Sequence, residues 1–85
     1  MKVYVLTMTS QLGQGDQPSS MVLGVYESRE LSVQAHHAAV VDKMAKYVEN
    51  YDEVATRDTN LGTLITRPSD DSYWTFVQLH ESEML

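Results

Sequence analysis

Apolar residues follow two periods along this chain, and the switch between them marks out its elements. From Val3 to Thr9, Val3, Val5 and Thr7 alternate with Tyr4, Leu6 and Met8, the two-residue period of a strand rich in β-branched and aromatic side chains. Gln11 to Ser20 then gathers Gly13, Gly15, Asp16 and Pro18 with two serines, turn-forming types that predict a loop. Met21 to Tyr26 resumes the alternation with Met21, Leu23 and Val25 on one side, and Gly24 on the other predicts a bulge or a close backbone approach. The two strands are expected to pair as an antiparallel hairpin.

After Tyr26 the period lengthens. Ser28 suits an N-cap, because its hydroxyl can accept from an amide that has no partner in the first turn. Glu30 then meets the positive end of the helix dipole. At about 100° per residue, Val33, His37, Val40, Val41, Met44, Tyr47, Val48 and Tyr51 fall on one face, which predicts an amphipathic helix over residues 29–51 with that face on a sheet. Beyond the polar exit at Asn50 to Glu53, Val54 to Asp58 reads as a short edge strand. Gly62 to Arg67 and Tyr73 to His80 read as a hairpin turning at Pro68 to Ser72. Trp74, Phe76 and Gln78 share one face of the last strand, and Tyr73, Thr75, Val77 and Leu79 share the other. Apolar groups on both faces predict a central strand or a second face covered by another subunit. Glu81 to Leu85 is expected to fray. The expectation is one α+β domain over residues 1–85, in the order β-β-α-β-β. It has an antiparallel sheet of four strands, or five if Val54 to Asp58 contributes, with one long helix packed on one face.

Two segments carry a resemblance. Val3-Tyr4-Val5-Leu6, and Leu23-Gly24-Val25-Tyr26-Glu27-Ser28-Arg29-Glu30 leading into a helix, resemble the pattern of a small uncharacterised family common in phage and bacterial genomes. The match covers about the first third of the chain. The more apolar helix and the hairpin containing Pro68 depart from the family's pattern. The resemblance implies the fold and a viral or mobile-element source, and it brings no catalytic residues.

Charge and composition narrow the function classes. The 85 residues carry 12 acids and 6 bases, a formal charge of −6, and no cysteine. Residues 1–41 hold three acids (Asp16, Glu27, Glu30) and two bases (Lys2, Arg29), so most of the excess lies in the second half. Direct nucleic-acid binding is disfavoured, since phosphate contact draws on clustered Lys and Arg. The absence of cysteine excludes disulfides and thiolate metal sites. No apolar run reaches the roughly 18 residues of a membrane span, and the N-terminus reads as a first strand rather than a signal peptide. A cytoplasmic protein, in the host cytoplasm if phage-encoded, is expected.

The candidate chemistry is thin. His36 and His37 are adjacent, so a helix points them about 100° apart, and two ligands on one face need a spacing of three or four. His80 adds no ligand spacing, so neither a metal nor a cofactor is expected. His37, lying within the predicted apolar face, reads as a core histidine or as part of a subunit seam that protonation would loosen. Asp70 and Asp71 are explained by turn chemistry. Gly13-Gln14-Gly15 lacks the lysine and following helix of a phosphate loop, and no serine has a base at an informative spacing. Trp74 and Phe76 could stack bases, but only Arg67 is near them in sequence, so core or interface packing is favoured.

These features point to a non-enzymatic acidic binding protein, phage-encoded as the resemblance implies, that inhibits a host or defence protein by occupying a basic surface. Asp52, Glu53, Asp58, Asp70 and Asp71 would form the contact patch, and His37, Trp74 and Phe76 a homodimer interface. The alternative is an oligomeric nucleotide binder using Arg29, Arg57 and Arg67 on phosphate.

Overall fold

The computed structural model describes residues 1–83. Its elements are β1 (Lys2–Leu12), β2 (Ser19–Tyr26), α1 (Arg29–Tyr51), β3 (Ala55–Asp58), β4 (Gly62–Arg67) and β5 (Asp70–Glu83). The five strands form one antiparallel sheet in the order β2-β1-β5-β4-β3. The fold is therefore α+β with one helix and five strands. The element order differs from the four-strand expectation because β3, although only four residues long, pairs with β4 from Ala55↔Thr66 to Asp58↔Thr63.

The long strands extend past their predicted ends. β1 runs on to Leu12 and β5 begins at Asp70, because Gln11↔Trp74 and Leu12↔Tyr73 continue the ladder. The β4–β5 turn shrinks to Pro68 and Ser69, so Asp70 and Asp71 are strand residues rather than turn residues. Glu81 to Glu83, expected to fray, pair with Lys2 to Tyr4, and Lys2 Nζ meets Glu81 Oε1 at 2.9 Å. Met84 and Leu85, the rest of that expectation, lie outside the described residues.

Directly opposed residues of antiparallel strands share a face, so the registers sort the sheet into two sides. Leu6, Ile65 and Val77 lie on one side and form a single buried cluster with Tyr47 of the helix. Burying each aliphatic side chain contributes about 1.5–3 kcal/mol, which makes this cluster the main apolar anchor of α1. Tyr47 Oη lies 3.1 Å from Thr75 Oγ1, which in turn lies 3.1 Å from Ser10 Oγ, so the buried hydroxyls satisfy one another.

The helix begins as its sequence dictates, with the Ser28 hydroxyl accepting from the Leu31 amide at 3.3 Å. It ends at Asp52, whose left-handed φ of 58° lets its amide donate to Val48 O at 3.0 Å. Its buried face differs from the predicted one. Ser32 and Tyr47 are buried and Ala35, Ala39, Val40, Met44 and Tyr51 partly so, whereas Val33, Val41 and Val48 are about half exposed. Small residues set the contact: Ala35, Ala39 and Ser32 let the helix backbone approach the sheet, and the Ser32 hydroxyl donates to Arg29 O at 2.6 Å. His37 therefore sits exposed, and His36 takes the inward position.

Two glycines permit close approaches. Between Leu6↔Gly24 and Thr7↔Val22 the β1–β2 register slips at a bulge, and a Cβ on Gly24 would come within 2.6 Å of the Tyr26 hydroxyl. A Cβ on Gly62 would run into the Val77 carbonyl oxygen.

Candidate functional site

The side of the sheet away from α1 is the candidate binding face. On it the central strands set Val5 opposite His80, Thr7 opposite Gln78, Thr9 opposite Phe76 and Gln11 opposite Trp74. Leu64 and Thr66 of β4 flank Phe76 and Trp74. Val25, Val22 and Ser20 of β2 flank Val5, Thr7 and Thr9. Arg57, opposite Leu64, brings a formal charge only at the β3 margin. In a chain with 12 acids, none of these opposed positions is a carboxylate.

The polar groups of this face are satisfied sideways. The Trp74 indole N–H donates to Gln11 Oε1 at 3.2 Å. Thr9 Oγ1 and Ser20 Oγ are 2.8 Å apart, and Thr7 Oγ1 lies 3.2 Å from His80 Nε2. Covering such a face strands none of these groups, so a partner would gain from the aromatic area without a desolvation penalty at the indole. Trp74 and Phe76, two of the expected interface residues, stand here together and are each partly exposed. His37, the third, is on the helix and is not brought to them.

The five expected contact acids are used differently. Glu53 Oε1 accepts from Arg67 Nε at 3.1 Å, from the Ser69 amide at 3.3 Å and from the Ser69 hydroxyl. The Ser69 hydroxyl, helped by the Ser69 amide and Arg67, holds the Glu53 carboxyl below its usual range against desolvation. The Arg67 guanidinium also lies 4.9 Å from the ring centres of both Tyr51 and Tyr73. This group joins the helix exit to the β4–β5 turn, a structural role that sequence spacing gave no means of finding.

Asp70 accepts from the Ser72 hydroxyl at 2.6 Å and its amide at 3.0 Å, which lowers its carboxyl in that order of cause. Asp58 accepts from the Thr63 hydroxyl at 2.9 Å, at the end of β3 away from the β4–β5 turn. Asp52 and Asp71 are exposed. The acids therefore divide between internal fastening and solvent, and they do not form one patch.

His36 is a partly buried titratable group on the helix side. Its Nε2 lies 3.3 Å from Thr63 Oγ1. Since that hydroxyl gives its hydrogen to Asp58, its oxygen is left to accept from the His36 Nε2–H tautomer. Burial lowers the His36 pKa below its usual 6.5, Asp58 opposes that shift, and the neighbouring His37 adds to it. Among the described residues, no three of His, Asp and Glu gather as a metal-binding group.

Arg29, Arg57 and Arg67 lie on α1, β3 and β4, and Arg67 is held by Glu53 and two tyrosines, so no shared phosphate site forms from them. The helix surface at Arg29, Glu30, Val33 and Gln34 borders a cleft of about 350 Å³. No helix is long and apolar enough to cross a membrane among the described residues.

No family model, curated protein or solved structure matches this chain.

Proposed function

We propose that this chain is a non-enzymatic protein-binding domain that seats its uncovered sheet face on another protein. The observation that carries the reading is the charge-free character of that face around Trp74 and Phe76 in a chain of net charge −6. A binding surface with an apolar, charge-depleted centre and a polar rim has the anatomy of a protein interface. The run of β5 from Ser72 to His80, which crosses that face, carries no Asp, Glu, Lys or Arg.

Size supports the assignment. Five strands spaced at about 4.8 Å and averaging about nine residues, at about 3.3 Å each, give a face of roughly 700 Å². A standard interface takes about 800 Å² from each partner. The net charge of −6 favours a partner with a basic surface, so seating the face would occlude that surface. Inhibition of a host or defence protein is one use of such occlusion. Long-range attraction of this kind speeds encounter, while the desolvated aromatic centre holds the complex.

The test begins with capture from host lysate at low and high salt, followed by affinity measurement with the purified partner. A Trp74→Ser/Phe76→Ser chain is expected to lose at least about thirtyfold in affinity, the scale of an interface hot spot. Asp52→Lys/Asp71→Lys is expected to reduce the association rate and its salt dependence, with a smaller loss of affinity. Unchanged affinity in the Trp74→Ser/Phe76→Ser chain would sink the proposal.

A further inference from the structure

The two edges of the sheet are built differently. β3 is four residues long and carries Arg57 and Asp58, two charges that discourage another strand from pairing there. β2 is twice that length and has no charged residue from Ser19 to Tyr26. Met21, Val22 and Val25 are each more than half exposed, at 54%, 61% and 54%. One face of the β2 backbone is paired with β1, and its other row of amides and carbonyls lies at the margin of the sheet. The bulge at Leu23 is the one edge-blunting device on this strand, and it leaves a regular ladder from Ser19 to Val22.

We propose that β2 pairs with β2 of a second copy of this chain, antiparallel across a two-fold axis, to give a continuous ten-stranded sheet. An unpaired strand edge is completed by another strand, which fixes the geometry of the occupant. Charge does not bar a second copy. Two chains of −6 repel one another, and a strand with no charged residue lets them meet with the least opposition.

The surface area points the same way. The chain exposes 5735 Å², against roughly 5,100 Å² for a compact monomer of its mass. A domain this small adds core by association. A two-fold axis through an antiparallel pair stands perpendicular to the sheet, so both helices lie on one side and both Trp74 faces on the other. The dimer therefore leaves the proposed binding face open and doubles it. The pairing stands on β2 alone and does not depend on what that face binds.

Sedimentation equilibrium and amide hydrogen exchange on the whole chain test this. The wild type is expected at twice its 9.6 kDa mass, with slow exchange at the outward amides of Ser19 to Val22. Val22→Lys places like charges near the axis and is expected to weaken the dimer at least about tenfold. Because Val22 is exposed, its circular dichroism should match the wild type. Val41→Lys, on the exposed helix stripe, and Trp74→Ser/Phe76→Ser are both expected to remain dimeric. A monomeric wild type, a Val22→Lys chain as dimeric as the wild type, or loss of the dimer in either control would overturn the proposal. Partner binding by a monomeric wild type would remove the dimer and leave the proposed binding face standing.

Discussion

The two faces of this sheet are made from the same strands and serve opposite ends. On the helix side, Leu6, Ile65 and Val77 are closed over by Tyr47, and the hydroxyls of Tyr47, Thr75 and Ser10 satisfy one another beneath the helix. On the other side, Trp74 and Phe76 stay partly exposed beside Gln11, Thr7 and Thr9, whose side chains bond sideways within the layer. Both faces avoid carboxylates near their centres, but only the first is covered by the chain itself. Stability should reside in one face and recognition in the other. Mutations should separate the two.

The largest separation is expected from truncating one residue on each side. Tyr47→Ala empties the centre of the covered face and should cost about 3–5 kcal/mol, as large aromatic deletions from cores do. Phe76→Ser on the uncovered face should cost well under half of that. Equilibrium urea unfolding of both chains reads the difference, and equal losses would show that the two faces are equally structural.

A finer cut removes only the Tyr47 hydroxyl. Tyr47→Phe should cost about 0.5–1.5 kcal/mol, the net worth of one hydrogen bond. The loss stays modest because Thr75 Oγ1 keeps Ser10 Oγ at 3.1 Å. A loss as large as that of Tyr47→Ala would mean that the hydroxyl network, and not the ring, holds the helix down.

The smallest expected effect is a pH dependence confined to the covered side. Burial lowers the folded-state pKa of His36 below 6.5, with Asp58 opposing and His37 assisting the shift. The unfolded chain then binds more protons than the folded one below that value. The His36 contribution is complete above 6.5 and is lost as pH falls from there through the lowered folded value. Urea midpoints should therefore decline as pH falls below about 6.5, and His36→Gln should flatten that decline. A decline unchanged in His36→Gln would assign it to other groups.

Most of the strand framework was legible in the chain. The alternation at Val3 to Thr9 and the opposed faces of Tyr73 to His80 correspond to β1 and β5, since period-2 patterns survive into any pleated sheet. The ends were not legible, because Gln11, Leu12, Asp70 and Glu81 to Glu83 are held in the ladder by their partners across β1 and β5 and not by their own propensities. The seat of the helix is legible at Val40, Met44, Tyr47 and Tyr51, but it is turned away from the valine stripe for a related reason. Counting valines favours the Val33–Val41–Val48 stripe, but close packing selects the alanines and Ser32, whose small size lets the helix approach.

The candidate site divides in the same way. Trp74 and Phe76 could be paired from their spacing alone, because residues two apart on a strand share a face. The internal use of Glu53, Asp58 and Asp70 could not be seen. Each depends on a hydroxyl, Ser69, Thr63 or Ser72, that only the turns and ladders bring within reach.

Trp74 is the single tryptophan of the chain and stands on the uncovered face, so its fluorescence reports directly on whether that face is the contact surface. Acrylamide quenching should be efficient in the free protein, and saturation with the captured partner should shift the emission to the blue and suppress quenching. A partner that binds at full strength while Trp74 remains as quenchable as before would contradict the account.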